Sequence, residues 1–238
     1  ALIGPGVEIG DGAEVGSHVK IESGTVIGKN CRIFHGASLG GDPQILNFQK
    51  DISSSVRIGD DTVIREYVTM NPGTKGGGME TRVGNGCTFM VGSHVAHDCN
   101  IGNNVVIANN VPLGGHVTIE DFVIIGGNSA VQQFTRIGRL AMIGGMTGVL
   151  KDVIPFGLSF GNRNYLKGVN IIGLRRKKYD NKKIMELNEA YEKIFSSNNL
   201  QENLSKINGE YQGNDLVKEV TNFIEKDKKR PICTPLSE

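Results

Sequence analysis

Histidine is scarce in this chain, numbering 5, and three of the five fall close together. His94 and His97 stand in Ser93-His94-Val95-Ala96-His97-Asp98, and His116 follows Gly114-Gly115. An imidazole titrates near neutral pH, so it can take a proton from a hydroxyl or amine during a reaction. Asp98 is placed to accept the other ring proton and fix the tautomer, provided the backbone bends between the two residues. A backbone N–H facing such a base is a donor for a developing oxyanion. Gly115, 18 residues beyond His97, is the candidate. Base, acid partner and oxyanion donor together are the parts of acyl transfer. The competing use of His94, His97 and His116 is zinc, which needs three neutral nitrogens converging at about 2.0–2.1 Å.

What positions these residues is a repeat of six. Ile3, Ile9, Val15, Ile21, Ile27, Ile33 and Leu39 are spaced by six without a gap. The phase resumes at Ile58, Ile64 and Met70, and again from Val83 through Phe89, Val95 and Ile101 to Val149. Six fits neither a helix nor an alternating strand. It fits a coil of triangular cross-section, with one short strand and one inward aliphatic per side, and about seven coils of 18 residues. The Gly that often follows the inward residue, as in Ile27-Gly28 and Ile101-Gly102, is expected to supply turn geometry. On this winding Gly115 lies directly above or below His97.

Two breaks in phase, 40–56 and 71–82, read as loops thrown from the coil, and such loops commonly build sites. Gly76-Gly77-Gly78 lacks the Lys-Ser/Thr that completes a phosphate-binding loop. The repeat stops near Pro155, which divides the chain into residues 1–155 and 156–238. Of the 33 glycines only five lie in the last 78 residues. That tail predicts helices: Ile184, Leu187, Tyr191, Ile194 and Phe195 share one face behind Asp180 or Asn181 as cap. Leu200, Leu204 and Ile207 predict a second helix, and Leu216 to Ile224, capped by Asn214, a third.

Composition narrows the class. Hydrophobic residues make up 38%, Trp is absent, and no run of about 18 apolar residues exists to cross a membrane. The net charge of +1 gives no general attraction to nucleic acid. Cys31, Cys87, Cys99 and Cys233 form no CxxC pair and read as buried free thiols of a reducing compartment. The N-terminus lacks a basic region followed by an apolar core, so the expectation is a cytoplasmic protein.

Several stretches resemble one family, the UDP-N-acetylglucosamine O-acyltransferases that begin lipid A synthesis. They are His94-Val95-Ala96-His97-Asp98-Cys99, Ala108-Asn109-Asn110, Gly115-His116-Val117, Ile124-Ile125-Gly126-Gly127 and Ala130-Val131. Gly161-Asn162 and Gly168-Val169-Asn170-Ile171 with Gly173-Leu174-Arg175-Arg176 match the junction into the helical tail. The resemblance implies a mainly β, left-handed parallel β-helix with a C-terminal helical domain, assembled as a homotrimer with sites between subunits. It implies His97 as general base, Asp98 as its support and the Gly115 N–H as oxyanion donor. His94, His116 and Gln133 would hold the sugar and its phosphates, and Gln44, on the first loop, would touch the sugar. Gly127, Asn170 and Arg176 would engage the nucleotide. Gly145 and Arg163 would border the acyl groove. The donor would be a 3-hydroxyacyl group on acyl carrier protein, an acidic partner suited to the run from Arg175 to Lys183. No metal or cofactor is implied. The gamma-class carbonic anhydrases, which bind zinc on the same kind of coil, pair two His five residues apart, a spacing missing here.

The chain also departs from the family pattern. Ile45 and Asn47 stand where an acidic residue and a Lys are usual, and Gln132, Arg163 and Ile172 replace two His and a Glu. A site with fewer polar contacts can change its acceptor. The alternative is therefore amide formation on a UDP-linked 3-amino sugar with the same base. A zinc enzyme or a non-catalytic scaffold stands further off.

Overall fold

The computed structural model describes residues 1–46, 48, 54–196, 199–227 and 229–236. Most hexads become a two-residue strand followed by a corner, and every third strand stacks on the same face. The described strands form three sheets of eight, seven and nine strands. The first face runs from Leu2–Ile3 to Gly148–Val149 and includes His94–Val95. Registers join positions one coil apart: Val95 pairs with Leu113, Ile101 with Ile119 and Ile107 with Ile125. Fully buried Ile and Leu at these positions form the core, each worth about 1.5–3 kcal/mol.

Two expectations about the coil need correction. First, each side buries two residues, not one. The residue two before each large aliphatic also points inward, and it is small: Cys31, Cys87, Cys99, Val105, Val117 and Thr135 are buried there. Three of the four buried free cysteines are members of this column. Second, the glycine after the inward residue of the second face does not serve a turn. The left-handed backbone falls three residues after the inward one, where His18, Asn30, Asp98, His116, Phe134 and Met146 have φ between 54° and 64°. Gly10, Gly28, Gly59, Gly84 and Gly102 instead form a column at one corner. A Cβ at any of them would stand 2.6–2.8 Å from the backbone of the next coil. Close stacking of coils, not turn shape, requires glycine there.

Both loops leave the coil at one corner, between the first and second faces. The four-residue strands Ser55–Ile58 and Glu80–Val83 mark their ends, so the ordered sheet starts one residue before Val56 and three before Val83. Asn47 lies outside the described residues.

A hairpin of Gly157–Phe160 and Tyr165–Val169 adds two strands to the third face, and the helices start only at Ile171. They are α1 (Ile171–Arg176), α2 (Asn181–Ile194), α3 (Leu200–Glu210) and α4 (Asp215–Lys226). Asp180 and Asn214 cap α2 and α4, and the expected apolar faces are buried. The short α1 has no apolar periodicity to announce it. The tail is tied to the coil by Arg136, which donates to Asp152 at 2.7 Å and to the Asp227 carbonyl at 2.9 Å. Arg139 adds a bond to Glu219 on α4 at 2.8 Å and one to the Tyr179 hydroxyl. Among the described residues no helix is long and apolar enough to cross a membrane.

Candidate active site

His97 follows the strand His94–Val95 and turns the corner from which both loops emerge. Asp98 takes the left-handed conformation of that corner, φ 59°. The bend swings its carboxylate back, and His97 Nδ1 lies 2.7 Å from Asp98 Oδ2. An ionised carboxylate only accepts, so Nδ1 carries the proton and Nε2 is left with a free lone pair. The Asp98 side chain is fully buried and that of His97 is 17% exposed.

One coil on, the His116 N–H donates to the His97 carbonyl at 3.0 Å. This rung presses Gly115 against the imidazole, where a Cβ would stand 2.6 Å from Nε2. The Gly115 carbonyl accepts from the Phe134 N–H at 2.9 Å. No described acceptor takes the Gly115 N–H. The His116 ring meets His97 edge-on at 5.1 Å and stacks on Phe134 at 4.5 Å with 8° between planes. Burial lowers the His116 pKa; Asp98 opposes this, and His97 and Lys229 add to it. His94 is lowered too, by burial and then by His97, and its Nδ1 lies 2.7 Å from the Thr69 hydroxyl oxygen. Both rings are therefore held toward the neutral form.

His97, Asp98 and His116 offer ligand atoms within 4.8 Å of one another. The zinc alternative needed His94 in place of Asp98, and His94 is not in this group. The Asp98 carboxylate is already engaged. Thr74 donates its N–H to Oδ1 at 2.7 Å and its hydroxyl to Oδ2 at 2.6 Å. Both of its oxygens therefore already accept hydrogen bonds within the chain.

The other sequence candidates divide into groups. Gln133 lies one coil beyond Gly115, exposed at the same corner, and Gln132 beside it is exposed too. Gln44 and Ile45 sit exposed on the first loop, which Asn71 Nδ2 tethers through the Gly41 carbonyl at 2.9 Å. Gly127 and Gly145 stack at the opposite corner, between the third and first faces; a Cβ on Gly145 would meet the Gly127 carbonyl at 3.2 Å. Arg163 is exposed in the hairpin turn. Asn170 caps α1, accepting from Gly173 N–H at 3.0 Å and donating to the Leu140 carbonyl at 2.9 Å. With Arg176 and Ile172 it borders an apolar cavity of about 800 Å³ against the third face, away from the His97 corner. Sequence reasoning missed Thr74, Gly77 and Thr81, which surround Asp98, and the stacked Phe134. The winding held a signal for the first three: the second loop breaks the hexads at the corner that His97 turns.

Residues 152–233 match a family described as Udp N-acetylglucosamine O-acyltransferase, domain 2. Residues 80–115 match the bacterial transferase hexapeptide family. An acyl-(acyl-carrier-protein)–UDP-N-acetylglucosamine O-acyltransferase of Rickettsia peacockii is 48% identical over 233 residues, covering 98% of this chain and 88% of the relative. The chain belongs to the UDP-N-acetylglucosamine O-acyltransferase family. The enzyme of that name from Rhizobium johnstonii is 42% identical over 98% of this chain and 86% of its own length. Among solved structures, Francisella novicida UDP-N-acetylglucosamine acyltransferase has a TM-score of 0.90 at 33% identity, covering 98% of this chain and 85% of that one. The family's left-handed parallel β-helix is the architecture of this chain.

Proposed function

We propose that this chain moves a 3-hydroxyacyl group from acyl carrier protein to the 3-hydroxyl of UDP-N-acetylglucosamine, the first step of lipid A synthesis. The observation that carries the mechanism is the His97–Asp98 pair at 2.7 Å with the Gly115 backbone against the ring. His97 Nε2 takes the proton of the sugar hydroxyl as its oxygen attacks the thioester carbonyl. The carbon–oxygen bond forms, and the Gly115 N–H donates to the oxyanion. The carbon–sulfur bond then breaks, and the imidazolium returns its proton to the departing thiolate. Asp98 stabilises the imidazolium while it lasts. No metal or cofactor is needed for this balance.

Neutral His94 and His116, with Gln133 and Gln44, hold the sugar and its phosphates. Gly127, Asn170 and Arg176 engage the nucleotide, and Gly145 and Arg163 border the acyl chain. Asn170 and Arg176 stand on a face that one subunit cannot bring to its own His97 corner, which supports a homotrimer with sites between subunits. The exposed Arg175, Arg176, Lys177 and Lys178 suit an acidic carrier protein. This reading places the protein in the cytoplasm, where its donor is made.

The relatives' names favour ester formation over the amide alternative. The deciding assay offers purified protein a panel of 3-hydroxyacyl carrier proteins with UDP-N-acetylglucosamine or its 3-amino analogue, read by mass spectrometry. Ester product supports the proposal and shows that Ile45 is tolerated. Amide product alone moves the acceptor to the amino sugar. His97→Ala should remove turnover and leave the protein folded.

A further inference from the structure

Asp98 is held by more than its histidine. Thr74, on the second loop, donates to both carboxylate oxygens, N–H to Oδ1 at 2.7 Å and hydroxyl to Oδ2 at 2.6 Å. The Asp98 N–H donates in turn to Thr81 Oγ1 at 2.8 Å. Gly77 lies on the same carboxylate, and a β-carbon there would collide with it. Oδ2 thus accepts from Thr74 and shares the His97 Nδ1 proton, which its two lone pairs allow.

The Thr74 hydroxyl takes no part in the loop's own closure. Its backbone closes on itself: the Thr74 carbonyl accepts from the Gly77 N–H and the Met79 N–H, each at 3.0 Å. Gly73 N–H pins the loop to the Ser55 carbonyl at 3.3 Å. The hydroxyl bond is additional to that closure, and it ends on the group that orients the base.

We propose that Thr74 is a positioning residue for acyl transfer: its hydroxyl fixes the Asp98 carboxylate so that His97 presents Nε2 beside Gly115. The second loop is then part of the catalytic apparatus and not only an insertion. This rests on the reading of His97 as general base.

The test compares Thr74→Val, which keeps the branched shape without the hydroxyl, with Thr74→Ser, which keeps the donor. His97→Ala is the control, and kcat and KM are measured on the full protein. Thr74→Val should lose kcat roughly ten- to a hundredfold, the scale of one hydrogen bond to a charged group. KM for the acceptor should change little, and Thr74→Ser should restore kcat. A wild-type kcat in Thr74→Val, with His97→Ala inactive, overturns the proposal alone. So does a loss confined to KM or melting temperature. An active His97→Ala overturns the base reading and this proposal with it. If Thr74→Val does not fold, Thr74→Ala carries the same readouts.

Discussion

Gly115 lies flat against the His97 imidazole, close enough that a Cβ would stand 2.5 Å from Cε1 and 2.6 Å from Nε2. The Gly115 side of the contact is fixed by a coil rung, the His116 N–H to the His97 carbonyl at 3.0 Å. The Gly115 backbone beside the ring is therefore as rigid as the prism. Rigid donors cost no reorganisation when charge develops.

Gly115→Ala follows from that contact. Its added methyl has to displace the ring, since the Gly115 backbone is locked between two rungs. The ring is partly exposed and can swing outward, so the fold survives. A misplaced base costs about a hundredfold in rate. Expected are kcat/KM down by about that factor and a melting temperature close to wild type, read from one purified sample by acyl-transfer assay and thermal scan.

A pH dependence of stability follows from His94. Burial lowers its folded pKa below the ordinary 6.5. As pH falls, the unfolded chain takes the proton first, so folding loses stability once pH drops below about 6.5, and the contribution is intact above it. His116 is lowered in the same direction, so it adds to the effect. The melting temperature should fall between about pH 7 and about pH 5.5, above most carboxylate titrations. In His94→Gln the fall should be smaller, and an unchanged slope would rule His94 out as its source.

The join between coil and tail is testable at Asp152. It is 1% exposed, and Arg136 donates to both its oxygens, through its N–H at 2.8 Å and its guanidinium at 2.7 Å. Arg136 also holds the last turn of α4 through the Phe223 carbonyl at 3.2 Å. Asp152→Ala strands a half-buried guanidinium, and breaking a buried pair costs about 3–5 kcal/mol. Since Arg136 is 15% exposed, the lower end applies. Denaturant unfolding should show a loss near that size, with faster hydrogen exchange in α4.

The site was legible where it lies along one strand or one coil apart. His97, Asp98 and Gly115 follow from a period of six and a count of 18, and both are arithmetic on a regular winding. Thr74 and Gly77 were hidden because a loop has no period, and its reach back to Asp98 depends on its own turn. Asn170 was legible as a family match, but not the work its side chain does in the fold, capping α1 and bonding the Leu140 carbonyl. The column of glycines was visible as residues but not as a cause. Only the stacked coils show that they permit close approach and make no turn.

The small inward column gives the last prediction. Thr25, Ser93, Thr135 and Thr147 occupy it, and their hydroxyl oxygens are buried without a hydrogen-bond partner among the described residues. Thr135 is fully buried, and one coil earlier the same column holds Val117, also fully buried. An unpaired buried hydroxyl costs about 1–3 kcal/mol, and valine has the same shape without it. Thr135→Val should therefore stabilise the protein by about 1 kcal/mol, seen as a higher denaturation midpoint at unchanged slope. The Phe134–Gly115 rung is made by backbone, so acyl transfer should be unaffected. A loss of stability would mean that the hydroxyl has a partner within the coil and that the column is polar by requirement.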